Sequence, residues 1–224
     1  MRTNIQIAID GPAAAGKSTI AKIVAEALAY TYIDTGAMYR AITYKALSHH
    51  IDIENEDAMT KLLLETTIEL KPSKDGQLVY LDGENVSNAI RSNEVTSSVS
   101  TVATHASLRK EMVKRQLAMA KTGGVVMDGR DIGTHVLIDA ELKIFMSASV
   151  EERANRRQLD NEKRGISSQL QQLKKEISDR DKMDSEREAS PLIQAVDAVY
   201  LDTTHLNIQE AADQIIQLAK ERMS

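Results

Sequence analysis

The chain has 224 residues, a formal net charge of −5, 3% aromatic residues with no Trp and a single Phe, and no cysteine. This length suits one α/β domain with a substantial core, and two independent domains would be a squeeze. The acidic balance and scarce aromatics leave neither the basic footprint nor the stacking platform that a polynucleotide needs. The missing cysteines exclude disulfides and thiol chemistry, and no apolar run approaches the roughly 18 residues of a membrane span. The expectation is a soluble cytoplasmic protein with no polynucleotide or membrane partner, and a monomer, since no long exposed apolar stripe stands out.

The apolar run Ile5-Gln6-Ile7-Ala8-Ile9 reads as a first strand, and Ile20, Ile23, Val24, Ala27 and Leu28 recur at helical spacing after it. Between them lies Asp10-Gly11-Pro12-Ala13-Ala14-Ala15-Gly16-Lys17-Ser18-Thr19, which carries the pattern G-x-x-x-x-G-K-S. In that strand–loop–helix context, successive backbone amides wrap an anion at a helix N-terminus, Lys17 reaches the outer phosphates and Ser18 ligates Mg²⁺. A glycine turn that merely caps a helix is the plainer reading, and the flanking strand and helix weigh against it. Residues Gly11 to Thr19 are therefore the expected ATP-binding loop.

Tyr32-Ile33-Asp34 makes a second strand, and Gly36 to about Ser48 a helix with Ala37, Ala41, Tyr44 and Leu47 on related faces. Asn55, followed by Glu56 and Asp57, caps a helix through Leu64. From Thr66 to Val86 two Asp-Gly turns, at Asp75-Gly76 and Asp82-Gly83, separate alternating segments. That stretch predicts a small antiparallel meander inserted into an alternating βα pattern. Helical spacing returns from about Ser107 to Lys121, with Leu108, Met112, Gln116 and Met119 near one face, and Gly123-Gly124 ends it.

Val125-Val126-Met127-Asp128, Leu142-Lys143-Ile144-Phe145-Met146 and Ala198-Val199-Tyr200-Leu201 supply three further strands. Strands alternating with helices predict right-handed crossovers, a parallel sheet and ligands at the strands' carboxyl ends. Ser149-Val150-Glu151-Glu152 reads as a capping box, after which Arg153, Arg156 and Arg157 stand at i, i+3, i+4. Gly165 breaks that helix, a second runs from about Ser167 to Arg187, and the last, from Asn207, shows Ile208, Ala212, Ile215 and Ala219 as a core stripe.

A phosphate loop alone covers GTPases, motor ATPases and small-molecule kinases. Asp181-Lys182-Met183-Asp184 imitates a guanine-recognition motif, but it lacks the leading Asn and lies in a charged helix, so a GTPase is rejected. Asp128-Gly129-Arg130-Asp131 ends the third strand beside the loop, where Arg130 can fork onto phosphate and an Asp can hold Mg²⁺ through water or accept a substrate hydrogen bond. Taken alone, it is an Asp-Arg pair closing a turn. Asp34-Thr35-Gly36-Ala37-Met38-Tyr39-Arg40 brings a hydroxyl and an Arg to the same edge, and alone it is a capped helix. Arg180, Asp184 and Arg187 at i, i+4, i+7 read either as a solvated ladder or as one helical face aimed at phosphate. Arginines converging from distant segments favour phosphoryl transfer between two anionic substrates, which needs charge neutralisation at both ends.

The stretches IDGPAAAGKS (9–18), DTGAMYRA (34–41), LDGENVSNAIRSNEV (81–95), MDGRDIGT (127–134), KIFMSASVEERANRR (143–157) and RDKMDSEREASPL (180–192) together resemble the bacterial cytidylate kinases, within the nucleoside monophosphate kinase group. The resemblance extends over nearly the whole chain. It implies a P-loop three-layer αβα fold with a five-stranded parallel sheet, a core (1–35, 105–148, 188–224), a monophosphate-binding insertion (36–104) that contains the meander, and an arginine-bearing lid with its following helix (149–187). It also implies that Arg40, Arg130 and Arg187 bind the CMP phosphate, that Thr35, Ser100, Arg109 and Asp131 surround cytosine, and that Arg180 with Asp184 approach the ribose. Thr35 departs from a serine common in the family, keeping the hydroxyl and adding a methyl.

The activity so implied is ATP- and Mg²⁺-dependent phosphorylation of CMP and dCMP. Lys17, Asp128, Arg130, Arg153 and Arg157 would be its catalytic groups and Ser18 the metal ligand. A kinase for another small acceptor such as UMP is the alternative. A nucleotide-switched regulatory protein, binding ATP without acceptor-stimulated turnover, is a rival of another class.

Overall fold

The computed structural model describes residues 4–73, 76–163 and 165–224. In chain order its elements are β1 (Gln6–Asp10), α1 (Lys17–Leu28), β2 (Thr31–Asp34), α2 (Thr35–Ser48), α3 (Glu56–Leu64), β3 (Ile68–Ser73), β4 (Gly76–Leu81), β5 (Glu84–Asn85), α4 (Asn93–Val102), α5 (Ala106–Ala120), β6 (Val125–Gly129), β7 (Leu142–Ser147), α6 (Val150–Lys163), α7 (Leu170–Glu186), β8 (Val199–Asp202) and α8 (Ile208–Met223). A short 3-10 turn at Ala89–Arg91 and a five-residue π-type turn at Ile132–Val136 complete the described structure.

Five strands form one sheet in the order β2-β6-β1-β7-β8. Every pairing in it is parallel, as strands linked by helical crossovers require. Its centre is apolar on both faces: Ile7, Ala8, Ile9, Val126 and Met127 are fully buried. Helices α1 and α8 cover one side through Ile20, Val24, Ala212 and Ile215, while Met127 and Val125 pack on the other with Ile132, Val136 and Ala120 of α5. The fold is an α/β P-loop architecture, as the sequence predicts.

The meander is also present as an antiparallel sheet in the order β3-β4-β5. Asp82 and Gly83 both take left-handed backbone, with φ of 50° and 88°, which is the type I′ geometry that an Asp-Gly hairpin favours. The other expected turn, Asp75-Gly76, falls partly outside the described residues. Gln77 docks the meander on the parallel sheet: its side-chain amide donates to Tyr32 O at 2.5 Å and accepts from Asp34 N at 3.1 Å. It thereby completes the outer hydrogen bonds of edge strand β2 in the manner of a neighbouring strand.

Four expectations are corrected. The sequence reading has no helix over Asn93–Val102, whose run of Val, Thr and Ser has weak helix propensity; Val95, Val99 and Val102 bury one face and Ser92 caps the start. The box at Ser149 is half formed: Ser149 Oγ accepts from Glu152 N at 3.2 Å, while Glu152 Oε1 is bound by Arg156 rather than by the Ser149 amide. Helix α7 ends at Glu186, so Arg187 lies beyond it in extended backbone and is not on the helical face with Arg180 and Asp184. Ile208 is 54% exposed, unlike Ala212, Ile215 and Ala219, because it opens α8 at the rim of the cleft described next.

Candidate active site

The carboxyl ends of β1, β2 and β6 open into a cavity of about 960 Å³. Its floor is the loop 11–16. Gly11, at φ 148°, lies so close to Met146 O that any Cβ there would overlap the carbonyl, and Gly16, at φ 92°, turns the chain into α1. Gly16 gives α1 no side-chain cap, and no acidic residue stands in its first turn. The first amides of α1 are thus left open at the positive end of the helix dipole, the arrangement that receives an anion.

Lys17 is 5% exposed, and its ammonium donates to Pro12 O at 2.7 Å. Burial, reinforced by Arg130, pulls its pKa well below the ordinary lysine range. A buried ammonium poised on one carbonyl gains most from an anion that joins it. Ser18 Oγ donates to Asp128 Oδ2 at 2.8 Å, and Tyr32 OH donates to Asp128 Oδ1 at 2.7 Å. Burial, and then the charge of Asp34, raises the Asp128 carboxyl to about 6. Among the described residues no group of three His, Cys, Asp or Glu side chains has metal-binding geometry. One hydroxyl beside one carboxylate, next to a phosphate cradle, is the sparse oxygen set that suits Mg²⁺, whose other ligands are substrate phosphates and water.

Across the cavity stand side chains from four segments distant in the chain. Arg40 of α2 pairs with Asp34 at 3.0 Å, and the same carboxylate caps α2 by accepting from Ala37 N at 2.8 Å. Arg109 of α5 is bound to Asp131 and to Ala103 O, and its guanidinium lies 5.4 Å from the Tyr39 ring centre. Arg187 approaches Asp131 at 3.6 Å and Asp184 at 4.0 Å. Arg130 donates from Nε to Asp184 at 2.9 Å. Burial alone would raise the Asp184 carboxyl, but Arg130 and Arg180 outweigh it and hold it below its usual range.

Arg180 is the least well compensated of these groups. Burial and the repulsion of Arg130 lower its guanidinium to about 10, and its Nε is buried without a hydrogen-bond partner. Arg40 Nε, Arg109 Nε and Arg187 Nη2 are likewise buried donors without a hydrogen-bond acceptor. A wall of guanidiniums with unsatisfied donors is stabilised by an incoming oxyanion.

Of the sequence-predicted residues, Ala13, Ala14, Ala15, Gly16, Lys17, Ser18, Thr19, Thr35, Arg40, Ser100, Arg109, Asp128, Arg130, Asp131, Arg157, Arg180, Asp184 and Arg187 all line this one cavity. Gly11 and Pro12 shape the loop from behind. Two expected roles fit the geometry poorly. Arg153 does not line the cavity: it donates to Ala148 O at 2.9 Å and Ala13 O at 3.2 Å and pairs with Asp181 at 2.6 Å, so it ties α6 to the loop and α7. The Thr35 hydroxyl donates to Asp128 O at 2.7 Å, which keeps its proton on strand β6 rather than on a base.

Several residues that shape the site carry no role in the sequence motifs. Arg156, the middle member of the predicted arginine triplet, binds Ala15 O at 3.2 Å and Thr203 O at 2.6 Å. Tyr32 holds Asp128, and Asp10 accepts from the amides of Ile132 and Gly133. Arg156 was signalled by its spacing; the hydroxyl of Tyr32, 96 positions from its partner, had no signal.

Residues 7–221 match the family model described as cytidylate kinase. The cytidylate kinase of Lysinibacillus sphaericus (strain C3-41) is 67% identical over 223 residues, covering the whole of both chains. That of Geobacillus sp. (strain WCH70) is 61% identical over 223 residues with the same coverage. Among solved structures, an uncharacterized protein from Eubacterium ventriosum ATCC 27560 shares the fold at a TM-score of 0.50 and 15% identity, covering 97% of this chain and 99% of that one. A cleft that joins a phosphate loop to an arginine wall, and a match of this extent, lead to one conclusion: the chain belongs to the cytidylate kinase family.

Proposed function

We propose that this protein transfers the γ-phosphoryl group of ATP to the 5′-phosphate of CMP or dCMP, giving ADP and CDP or dCDP. One observation carries the reading. The uncapped amides of α1 with Lys17, and the Asp131–Arg109 pair with its surrounding arginines, line the same cavity. An acceptor-phosphate oxygen attacks the γ-phosphorus as the bond from that phosphorus to the β–γ bridging oxygen breaks, with no covalent enzyme intermediate. The loop amides and Lys17 hold the β- and γ-phosphates. Arg130 and Arg157 meet the charge on the transferring group, and Arg40 and Arg187 fix the acceptor phosphate.

Mg²⁺, when bound, neutralises charge on the donor phosphates, and Ser18 with Asp128 are the residues that would hold it. Asp131 accepts from the cytosine 4-amino group, while Arg109 donates to O2 and N3. Uracil would place a carbonyl against that carboxylate, leaving a buried charge poorly paired, so UMP is the weaker acceptor. Ser100 completes the base site, and Arg180 with Asp184 face the ribose. Arg153 serves by holding the loop at Ala13 rather than by touching phosphate. The segment 36–104 carries the acceptor, 149–187 closes over the donor, and closure excludes water that would hydrolyse ATP. The reading extends to a monomeric cytoplasmic enzyme; no helix among the described residues is long and apolar enough to cross a membrane.

ADP release coupled to a reporter, measured with CMP, dCMP, UMP, AMP and GMP at fixed ATP and Mg²⁺, tests the proposal. It predicts fastest turnover with the two cytidine nucleotides. Equal rates with all five, or none with any, overturn it.

A further inference from the structure

Asp10 opens the phosphate loop, yet it does not line the cavity. Its two carboxylate oxygens accept from consecutive amides in the turn that follows β6: Ile132 N to Oδ1 at 2.8 Å and Gly133 N to Oδ2 at 2.7 Å. Asp10 is 4% exposed, so this bidentate contact forms away from water, where charge-assisted hydrogen bonds are strong and directional. The two amides are the first of the π-type turn Ile132–Val136, whose N-cap, Asp131, has no side-chain cap bond. Asp10 supplies from a distant strand what a local cap would have given.

The residue immediately before those amides is Asp131, in an irregular backbone conformation of φ −143° and ψ 26°. Strand β6 fixes the chain up to Gly129, and Gly129 itself is crowded by Thr35 Oγ1 and Ile132. Between that strand and the clamped amides lie Arg130 and Asp131, the phosphate-facing and base-facing residues of the acceptor site. The anchor is rigid, because β1 is buried throughout its apolar positions and Gly11 is pressed against Met146. A shift of the Ile132 amide moves the Asp131 Cα, one peptide away, by a comparable amount, and displacements near 1 Å are costly for a reacting or recognising group.

We propose that Asp10 is a positioning residue for acceptor specificity: by clamping the Ile132 and Gly133 amides it sets the Asp131 carboxylate against the cytosine amine, although it lies in the loop that binds the donor. The inference rests on the cytidylate reading of the site. It also means that donor cradle and acceptor base site share one rigid joint.

The test compares wild type with Asp10→Asn, which keeps the shape but offers one acceptor oxygen for two amides. A second variant, Gly133→Ala, keeps the carboxylate and sets a methyl beside the clamp: a Cβ there would touch Asp10 Oδ2 at an ordinary 3.4 Å and press on the Lys143 stem at 3.1 Å, so the Gly133 amide shifts only as far as that stem fails to yield. Steady-state kcat/KM for CMP and UMP, and KM for ATP, are measured on folded protein verified by circular dichroism. The CMP:UMP ratio of kcat/KM should fall about tenfold in Asp10→Asn and by a smaller factor in Gly133→Ala, with KM for ATP within about twofold of wild type. A purely structural role would lower both acceptors alike and leave the ratio unmoved. An unchanged ratio in both variants, or a loss concentrated in KM for ATP, overturns the proposal. A wild type that does not discriminate CMP from UMP overturns the cytidylate reading itself, and this proposal with it; if Asp10→Asn does not fold, Gly133→Ala alone decides.

Discussion

The two walls of the cleft are built on different principles. The donor wall is nearly all backbone and is contiguous in the chain: open amides at the start of α1, one lysine, one hydroxyl. The acceptor wall is all side chain and is assembled from four segments, 34–40, 103–109, 130–131 and 180–187, with Arg40, Arg109, Arg130 and Arg187 each held beside an internal carboxylate. A backbone cradle needs no counter-charge while it waits, because peptide dipoles are neutral. A wall of buried arginines does need one, and Asp34, Asp131 and Asp184 supply it; on the proposed reading they share these partners with the acceptor. On the proposed reading, the donor cradle contacts phosphate and the acceptor wall carries the discrimination between bases.

The difference between the walls can be broken most severely at Lys17. Lys17→Met should reduce kcat by about 10²–10³-fold while leaving the affinity for CMP nearly intact, checked by turnover and by CMP titration. A comparable loss of CMP affinity would mean that the two walls do not act separately.

Asp10 stands behind both walls, bound to the Ile132 and Gly133 amides, and its protonation can be followed through stability. Burial raises its carboxyl from 3.8 to about 6, against the lowering effect of the Gly133 and Ile132 amides. The folded chain then holds a proton that the unfolded chain releases at lower pH. This group's contribution to stability is complete below about pH 4, is lost as pH rises to about 6, and is constant above. Relative to Asp10→Asn, wild-type stability in urea melts should fall by at most about 3 kcal/mol between pH 4 and pH 6.5. A difference that grows with pH would show that the amides, not burial, dominate.

Asp131→Asn sharpens the contrast from the acceptor side. It removes the charge that faces the cytosine amine and should lower kcat/KM for CMP by about 10–100-fold, with a much smaller effect on UMP. The smallest effect expected is at Gln77. Gln77→Leu leaves Tyr32 O and Asp34 N without their outer partners, which should cost about 1–2 kcal/mol in thermal or urea unfolding. Because Asp34 orients Arg40, KM for CMP should rise a few-fold and KM for ATP should not.

The asymmetry of the walls also governs what could be read from the sequence. The donor wall is local, so Gly11 to Ser18 declared it outright, and apolar runs such as Val125-Val126-Met127 declared the sheet around it. Arg40, Arg130, Asp131, Arg180, Asp184 and Arg187 stand out from strand ends and spacing, whereas Ser100 and Arg109 rest on the family resemblance alone, since nothing in the distance from Arg109 to Asp131 announces an ion pair. Spacing misled where side-chain direction mattered. Arg153 and Arg157 are one turn apart, yet Arg153 turns inward to Ala13 O and Asp181, while Arg157 faces the cavity. Helix α4 carries no sequence signal because its propensity is poor and its stability comes from Val99 and Val102 packed in the insertion's core, with Val95 also buried. Asp10 was visible as a letter of the loop motif, but its partners lie 122 and 123 positions away.

Whether donor binding and acceptor recognition reside in separate walls of one cleft is decided by isothermal titration of wild type and Asp131→Asn with CMP and, separately, with a non-hydrolysable ATP analogue. The account predicts that Kd for CMP rises about 10–100-fold in the variant while Kd for the ATP analogue is unchanged. Equal weakening of both ligands, or no change in CMP binding, would contradict it.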